Sequence, residues 1–438
     1  MAANVFELSG PGAAAAGQPA GAALRRRALL VAAAAAVAAG GCALGRKAIL
    51  APPLTLADSD LFTVVPGLQQ AFAQAHRGIR FVSVPATIQT LIHGPTLPAG
   101  VACWIENVGV DAVVSTQDLA PLDALLRQRN FQASTLLPGT YAAFALGGRQ
   151  YGLPVEQYPL AVRWRPDVFA AAGLTPPAAT WDLDGFEAAA TSLSAAIAAG
   201  RVAQVASVLP PPGDMTLLQD PALWVAFALG FGGTVLAGGR FAFDAAAVTG
   251  LEHLVSLLQR FSAVQAPGGA PPAPYALTFD AWHAAARGGA GSGWAYARLP
   301  RLPARPVITT RPVGEGIYQA PHLPAAPQQL AAAVTALTWL YGEAPQALLR
   351  AAGFVPVLAD PAAQQAFWQG QSPADRAVGD WQNFLPFSAG WPAIPQPAYL
   401  LSALAAAIAG QGDIRDLAAQ AAQQMNAELP SPAASVPG

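Results

Sequence analysis

Charge is scarce in this sequence: 11% of its 438 residues are charged, 23 basic and 25 acidic, for a formal net charge of −2. Basic clusters with interleaved aromatic residues are absent, which removes the electrostatic footprint of a nucleic-acid binder. The five histidines, His76, His93, His253, His283 and His322, stand singly, with no H-x-x-x-H or H-E-x-x-H spacing, so a metal site is not expected. No G-x-S-x-G elbow and no G-x-x-x-x-G-K-[ST] phosphate cradle occurs, and acyl transfer and nucleotide hydrolysis lose their usual signatures. Cysteine is limited to Cys42 and Cys103. If Cys42 is consumed by a modification, no disulfide remains available, and Cys103, between Ala102 and Trp104, reads as a core residue.

What is present begins with Arg25–Cys42, RRRALLVAAAAAVAAGGC. The uncharged run reaches Gly45, near the minimum of about 18 residues for a membrane span, but it is mostly alanine and weakly apolar. A basic start, a short apolar stretch and small residues before a cleavage point describe an export signal that is removed. Ala39-Gly40-Gly41-Cys42 resembles the lipobox of bacterial lipoproteins, with alanine where leucine is usual, which implies acylation of Cys42. Arg26-Arg27-Ala28-Leu29-Leu30 resembles a twin-arginine export pattern, although three arginines also make an ordinary basic start. Loss of Glu7 and Arg25 to Arg27 takes the net charge from −2 to −4.

The remaining chain of roughly 400 residues exceeds what one core usually serves, so two lobes are expected. Residues 54–57 (LTLA), the LQQAFAQAH stretch stopped at Gly78, and RFVSV read as strand, helix, strand, which favours a parallel α/β sheet. Asp111–Ser115 and Tyr151–Val155 read as short strands, and Leu122–Arg127 as a helix. Asp184 and Glu187 have capping-box spacing for a helix running to Gly200. Further helices are expected at 217–230, 245–262, 326–341, 344–352, 361–369 and 398–425, and no solenoid repeat is visible.

Several runs, taken together, resemble extracellular solute-binding proteins of carbohydrate ABC importers, the family with the maltose-binding type of bilobed fold. They are Tyr151-Gly-Leu-Pro-Val155, Trp164-Arg-Pro-Asp167-Val-Phe169 with Gly173-Leu174, and Pro177-Ala-Ala-Thr180-Trp181. Downstream come Phe279-Asp-Ala-Trp282 leading to Arg287-Gly288, similar to a helix of the family, then Gly291-Ser-Gly293-Trp294, Trp339-Leu340-Tyr341 and Gly353-Phe-Val-Pro356-Val357. Arg165 departs from the asparagine common at its position. The resemblance spans roughly Leu54 to Leu429.

It implies an α/β, two-lobed periplasmic-binding-protein type II fold with three interlobe crossings, near Pro154 to Tyr158, Arg301 to Val307, and Val357. The implied organisation is an N-terminal extension and export signal at 1–41, a lipidated tether at 42–53, lobe 1 at 54–155 and 307–357, and lobe 2 at 156–306 and 358–438. Ligand would lie in the cleft, and closure would signal occupancy to the permease.

The resemblance also supplies candidate ligand contacts. Trp294 matches the family's stacking aromatic, and Glu156 matches a position that contacts sugar; the alternatives are a core tryptophan and a solvated hinge carboxylate. Asp58, Ser59 and Asp60 fall where the first cleft loop sits, with Asp60 a possible helix cap. Ser115, Gln117 and Asp118 follow the strand expected at 111–114, without the aromatic that relatives place there. Trp224, Trp391 and Tyr399 are contacts or packing residues. Proline on both sides of Trp391 fixes an extended geometry for its loop.

The reading is therefore a non-enzymatic, monomeric solute-binding component with a carbohydrate ligand, ABC permease subunits as partners and a membrane tether through a lipid on Cys42. It lies outside the cytoplasmic membrane, in the periplasm or at the cell surface, with no cofactor, no metal and no nucleic acid. A polyamine or oxyanion ligand, an exported carbohydrate-active hydrolase, and a sensor or scaffold are the rivals. The pairs Asp182/Asp184 and Asp118/Asp123 suit a hydrolase only if space brings them together, and helix capping explains Asp182 and Asp184 better.

Overall fold

The computed structural model describes residues 54–58, 61–83, 103–108, 119–146, 148–211, 222–262, 274–282, 293–319, 325–386 and 398–429. Twelve strands are found among them: β1 (Leu54–Asp58), β2 (Ile79–Ser83), β3 (Cys103–Val108), β4 (Ala145–Leu146), β5 (Arg149–Gln150), β6 (Gly152–Trp164), β7 (Leu236–Ala237), β8 (Arg240–Phe241), β9 (Leu277–Ala281), β10 (Ala295–Arg298), β11 (Ile308–Gln319) and β12 (Phe384–Pro386). Eight form one sheet in the order β10-β6-β11-β3-β1-β2, with β9 also on β6 and β12 also on β11.

The parallel sheet expected from the alternating pattern holds for β1 with β2 and β3, and for β11 with β12. The rest of the sheet is antiparallel: β11 pairs with both β3 and β6, and β6 with β9 and β10. Mixed topology follows from two unusually long strands, β6 with 13 residues and β11 with 12, running against each other. Most of β6 is buried on both faces, which explains why its sequence shows no apolar–polar alternation.

Two main cores share β6. Leu153 and Val155 pack with Leu61, Phe62, Phe72, Phe81, Ile317 and the Pro327–Trp339 helix. Leu160, Val162 and Trp164 pack with Phe169, Phe186, Trp224, Leu254 and Phe279, and with residues of the Ala398–Ile408 and Ile414–Glu428 helices. Between them the β6–β11 register shifts at Val313/Gly314. A Cβ on Gly314 would lie 2.5 Å from the Leu153 carbonyl oxygen and 2.7 Å from the Phe144 ring, so only glycine permits this approach. A smaller cluster among the described residues holds Ala161, Trp282, Tyr296, Val355, Phe367, Trp368 and Val378.

Several local expectations are corrected. The strand beside β1 is Cys103–Val108, whose polar Glu106 and Asn107 obscure the alternation; the expected strand at 111–115 lies outside the described residues. The 398–425 helix is two helices, broken where Gly410 takes φ +71° and Asp413 caps the second through the Arg415 amide. Asp182, not Asp184, caps the Leu183–Ala198 helix, accepting from the Gly185 amide at 2.9 Å. Glu187 does not fold back; it bonds His253 at 2.6 Å and Arg260 at 2.7 Å. Phe279 lies in β9, not in a helix. No helix among the described residues is long and apolar enough to cross a membrane.

Candidate ligand-binding site

Glu156 sits on β6 opposite Val313, between the two main cores, and is 7% exposed. Burial is the dominant influence on its carboxyl and lifts the pKa to about 7; the Tyr158 hydroxyl and the Val355 backbone amide, which bond it, partly offset that rise. The side chain is thus not a solvated hinge carboxylate. Its surroundings are stapled by neutral hydrogen bonds: the Gln157 amide donates to the Pro356 carbonyl at 2.9 Å. Gln364 donates to the same carbonyl at 2.8 Å and to that of Leu358 at 2.9 Å. The Tyr341 hydroxyl donates to the Pro154 carbonyl.

Farther along β6, Arg163 lies directly across from Tyr296 of β10 and Thr278 of β9. Its Nη1 donates to Asp280 Oδ2 at 2.8 Å, and the two side chains are 24% and 25% exposed. The guanidinium centre is 5.0 Å from the Trp294 ring centroid and 5.8 Å from that of Tyr296. Tyr275, half-buried, lies 5.4 Å from Trp294, ring to ring. Neighbouring Leu160, Val162 and Trp164 enter the large core, so alternation puts Arg163 on the opposite face. The result is a half-open ion pair beside the half-buried rings of Trp294 and Tyr275, with Tyr296, 6% exposed, packed behind it, mounted on three hydrogen-bonded strands.

Glu156 and Arg163 are seven residues apart on one strand, about 23 Å at ~3.3 Å per residue. Trp294 belongs with Arg163, so the two leading sequence candidates mark different places, not one cluster. Trp224 is fully buried at 0% exposure, with Phe243 6.1 Å away, and the packing alternative describes it in place of ligand contact. Tyr399 packs against the large core, and its hydroxyl donates to Glu428, whose hydrogen bond and charge raise the phenol pKa. Asp58 ends β1, at the carboxyl edge of the parallel strands, where open α/β sheets place ligands. Cys42, Ser59, Asp60, Ser115, Gln117, Asp118 and Trp391 lie outside the described residues.

Arg165, the departure from the family pattern, forms a two-pronged bond with Asp167 at 3.2 and 2.6 Å and holds that carboxyl below its ordinary range. Sequence reasoning missed Arg163, Asp280 and Tyr296. A signal was available: LAVRW and LTFDA each carry a single charge, of opposite sign, within an apolar strand pattern.

No protein-family model matches this sequence, and no curated protein matches it in a sequence comparison. Solved structures do match in fold. A cyclic α-maltosyl-1,6-maltose binding protein from Arthrobacter globiformis aligns with TM-score 0.66 and 16% identity over 86% of this chain and 99% of its own. An ABC substrate-binding protein from Listeria monocytogenes, in complex with cycloalternan, aligns with TM-score 0.63 and 16% identity over 86% and 98%. UgpB from Mycobacterium tuberculosis, in complex with glycerophosphocholine, aligns with TM-score 0.60 and 12% identity over 86% and 98%. The chain therefore has the two-lobed α/β fold of periplasmic binding proteins.

Proposed function

We propose that this protein is the solute-binding component of an ABC importer, capturing a carbohydrate outside the cytoplasmic membrane and handing it to the permease by lobe closure. The observation that carries the reading is the fold match, which covers 86% of the chain and nearly all of each neighbour. Two of those neighbours carry saccharides in their names or complexes, and the third holds glycerophosphocholine, so the fold alone admits other small solutes. The half-buried rings of Trp294 and Tyr275 beside Arg163 and Asp280 favour a saccharide, which presents apolar ring faces and polar edges.

In this reading lobe 1 is 54–155 with 307–357, lobe 2 is 156–306 with 358–438, and β6 carries the first of the crossings, with the others near Arg301 to Val307 and near Val357. The change of core between Val155 and Leu160 supports that division. A ligand touching both lobes stabilises the closed form, which is the form the permease reads. The work is binding, without turnover. Residues 1–41 direct export and Cys42 carries a lipid that holds the protein at the outer face of the membrane.

Small-angle scattering with a panel of saccharides, polyamines and oxyanions tests the reading. The radius of gyration contracts with a saccharide. Contraction only with spermidine or phosphate moves the ligand class, and no contraction with any solute removes the importer role.

A further inference from the structure

We propose that the Arg163–Asp280 pair, held between the rings of Trp294 and Tyr296, reads the ligand and selects uncharged polyhydroxylated rings over acidic sugars, oxyanions and polyamines. The inference rests on the solute-binding function proposed above and narrows its ligand.

The guanidinium is fixed before any ligand arrives. It is bonded to Asp280 at 2.8 Å and faces rings at 5.0 and 5.8 Å, so its donors point in set directions. A pre-set planar fork loses less conformational freedom on binding than a mobile cation. Strand pairing on both sides of Arg163 keeps the constellation rigid.

Charge balance then sets the ligand class. A carboxylate or phosphate drawn to Arg163 meets the carboxylate of Asp280, and an ammonium drawn to Asp280 meets the guanidinium. A hydroxyl pair meets neither penalty, since one oxygen accepts from Arg163 while the neighbouring hydroxyl donates to Asp280. Both side chains keep about a quarter of their surface, enough for contact from one side. Half-buried Tyr275 and Trp294 supply apolar faces beside them.

The two replacements that unbalance the pair should act in opposite directions. Asp280→Asn leaves a lone cation and Arg163→Gln leaves a lone carboxylate. Titration calorimetry of the purified protein and both variants, using maltose, cellobiose, trehalose, glucose, glucuronate and spermidine, provides the test. The wild type binds at least one uncharged probe and neither charged one. Asp280→Asn weakens that probe about tenfold or more and gains glucuronate, while Arg163→Gln weakens it similarly and gains spermidine. Should either variant fail to fold, Arg163→Lys keeps the charge but loses the planar fork, and is expected to fold and weaken the same probe about tenfold. Equal affinity in wild type and variants would make the pair a structural ion pair and leave the solute-binding function standing. Preference of the wild type for glucuronate or spermidine would overturn the selectivity alone. Failure of all six probes would overturn both.

Discussion

Toward one end of β6, Glu156 is buried with a phenol and a backbone amide as partners, and its carboxyl is lifted to about 7. Toward the other, Arg163 is half-exposed, matched by Asp280 and flanked by two rings. One strand thus carries a charge suppressed by burial and a charge retained by pairing. Burial without an opposite charge makes Glu156 responsive to pH and to whatever changes its solvation, whereas a paired, half-open group changes little on its own and is available to a ligand. Substitutions in the covered part should therefore alter stability, and substitutions in the open patch should alter binding.

The largest expected effect comes from the covered part. Trp224→Ala empties a fully buried site in the large core and should cost about 3–5 kcal/mol, measured by denaturant unfolding, with ligand affinity of the folded fraction unchanged. Trp294→Ala should cost only about 1 kcal/mol while abolishing saccharide binding. A reversal of those two outcomes would break the comparison.

Glu156 gives the next effect. Folding raises its pKa from 4.5 to about 7, so the folded state keeps the proton over a range in which the unfolded chain has released it. Its contribution is full below the lower value and is lost as pH rises through the higher one, about 3 kcal/mol in all. Glu156→Gln should flatten this part of the stability profile, measured by urea unfolding from about pH 4 to about pH 8. A Gln variant with the same slope would place the pH dependence elsewhere.

The smallest effect separates two neighbouring aspartates. Asp182→Ala should cost about 1 kcal/mol by removing the cap of the Leu183–Ala198 helix, and Asp184→Ala should fall within about 0.5 kcal/mol of wild type.

The helices expected at 245–262, 344–352 and 361–369 are found at Ala245–Phe261, Glu343–Ala352 and Pro361–Gln369, because apolar spacing and caps act locally. The sequence did not show that β6 continues from one core into the other, since a strand buried on both faces has little alternation to read and its pairing with distant β11 is not local. The capping register failed by two residues because Asp182 and Asp184 both precede a plausible start; only the Gly185 amide decides between them. For the site, resemblance pointed to Trp294 and Glu156 separately. The grouping of Trp294 with Arg163, Asp280 and Tyr296 depends on strand registers linking residues more than a hundred positions apart.

The central claim is that this protein binds a carbohydrate and leaves it intact. Thermal unfolding of the protein with a saccharide panel, followed by product analysis of each hit, tests it most directly. A raised midpoint is expected with at least one uncharged saccharide, equivalent to about 2.7 kcal/mol at a hundredfold excess over its dissociation constant, and no product. A midpoint unmoved by every saccharide, or a stabilising saccharide that is cleaved, would contradict it.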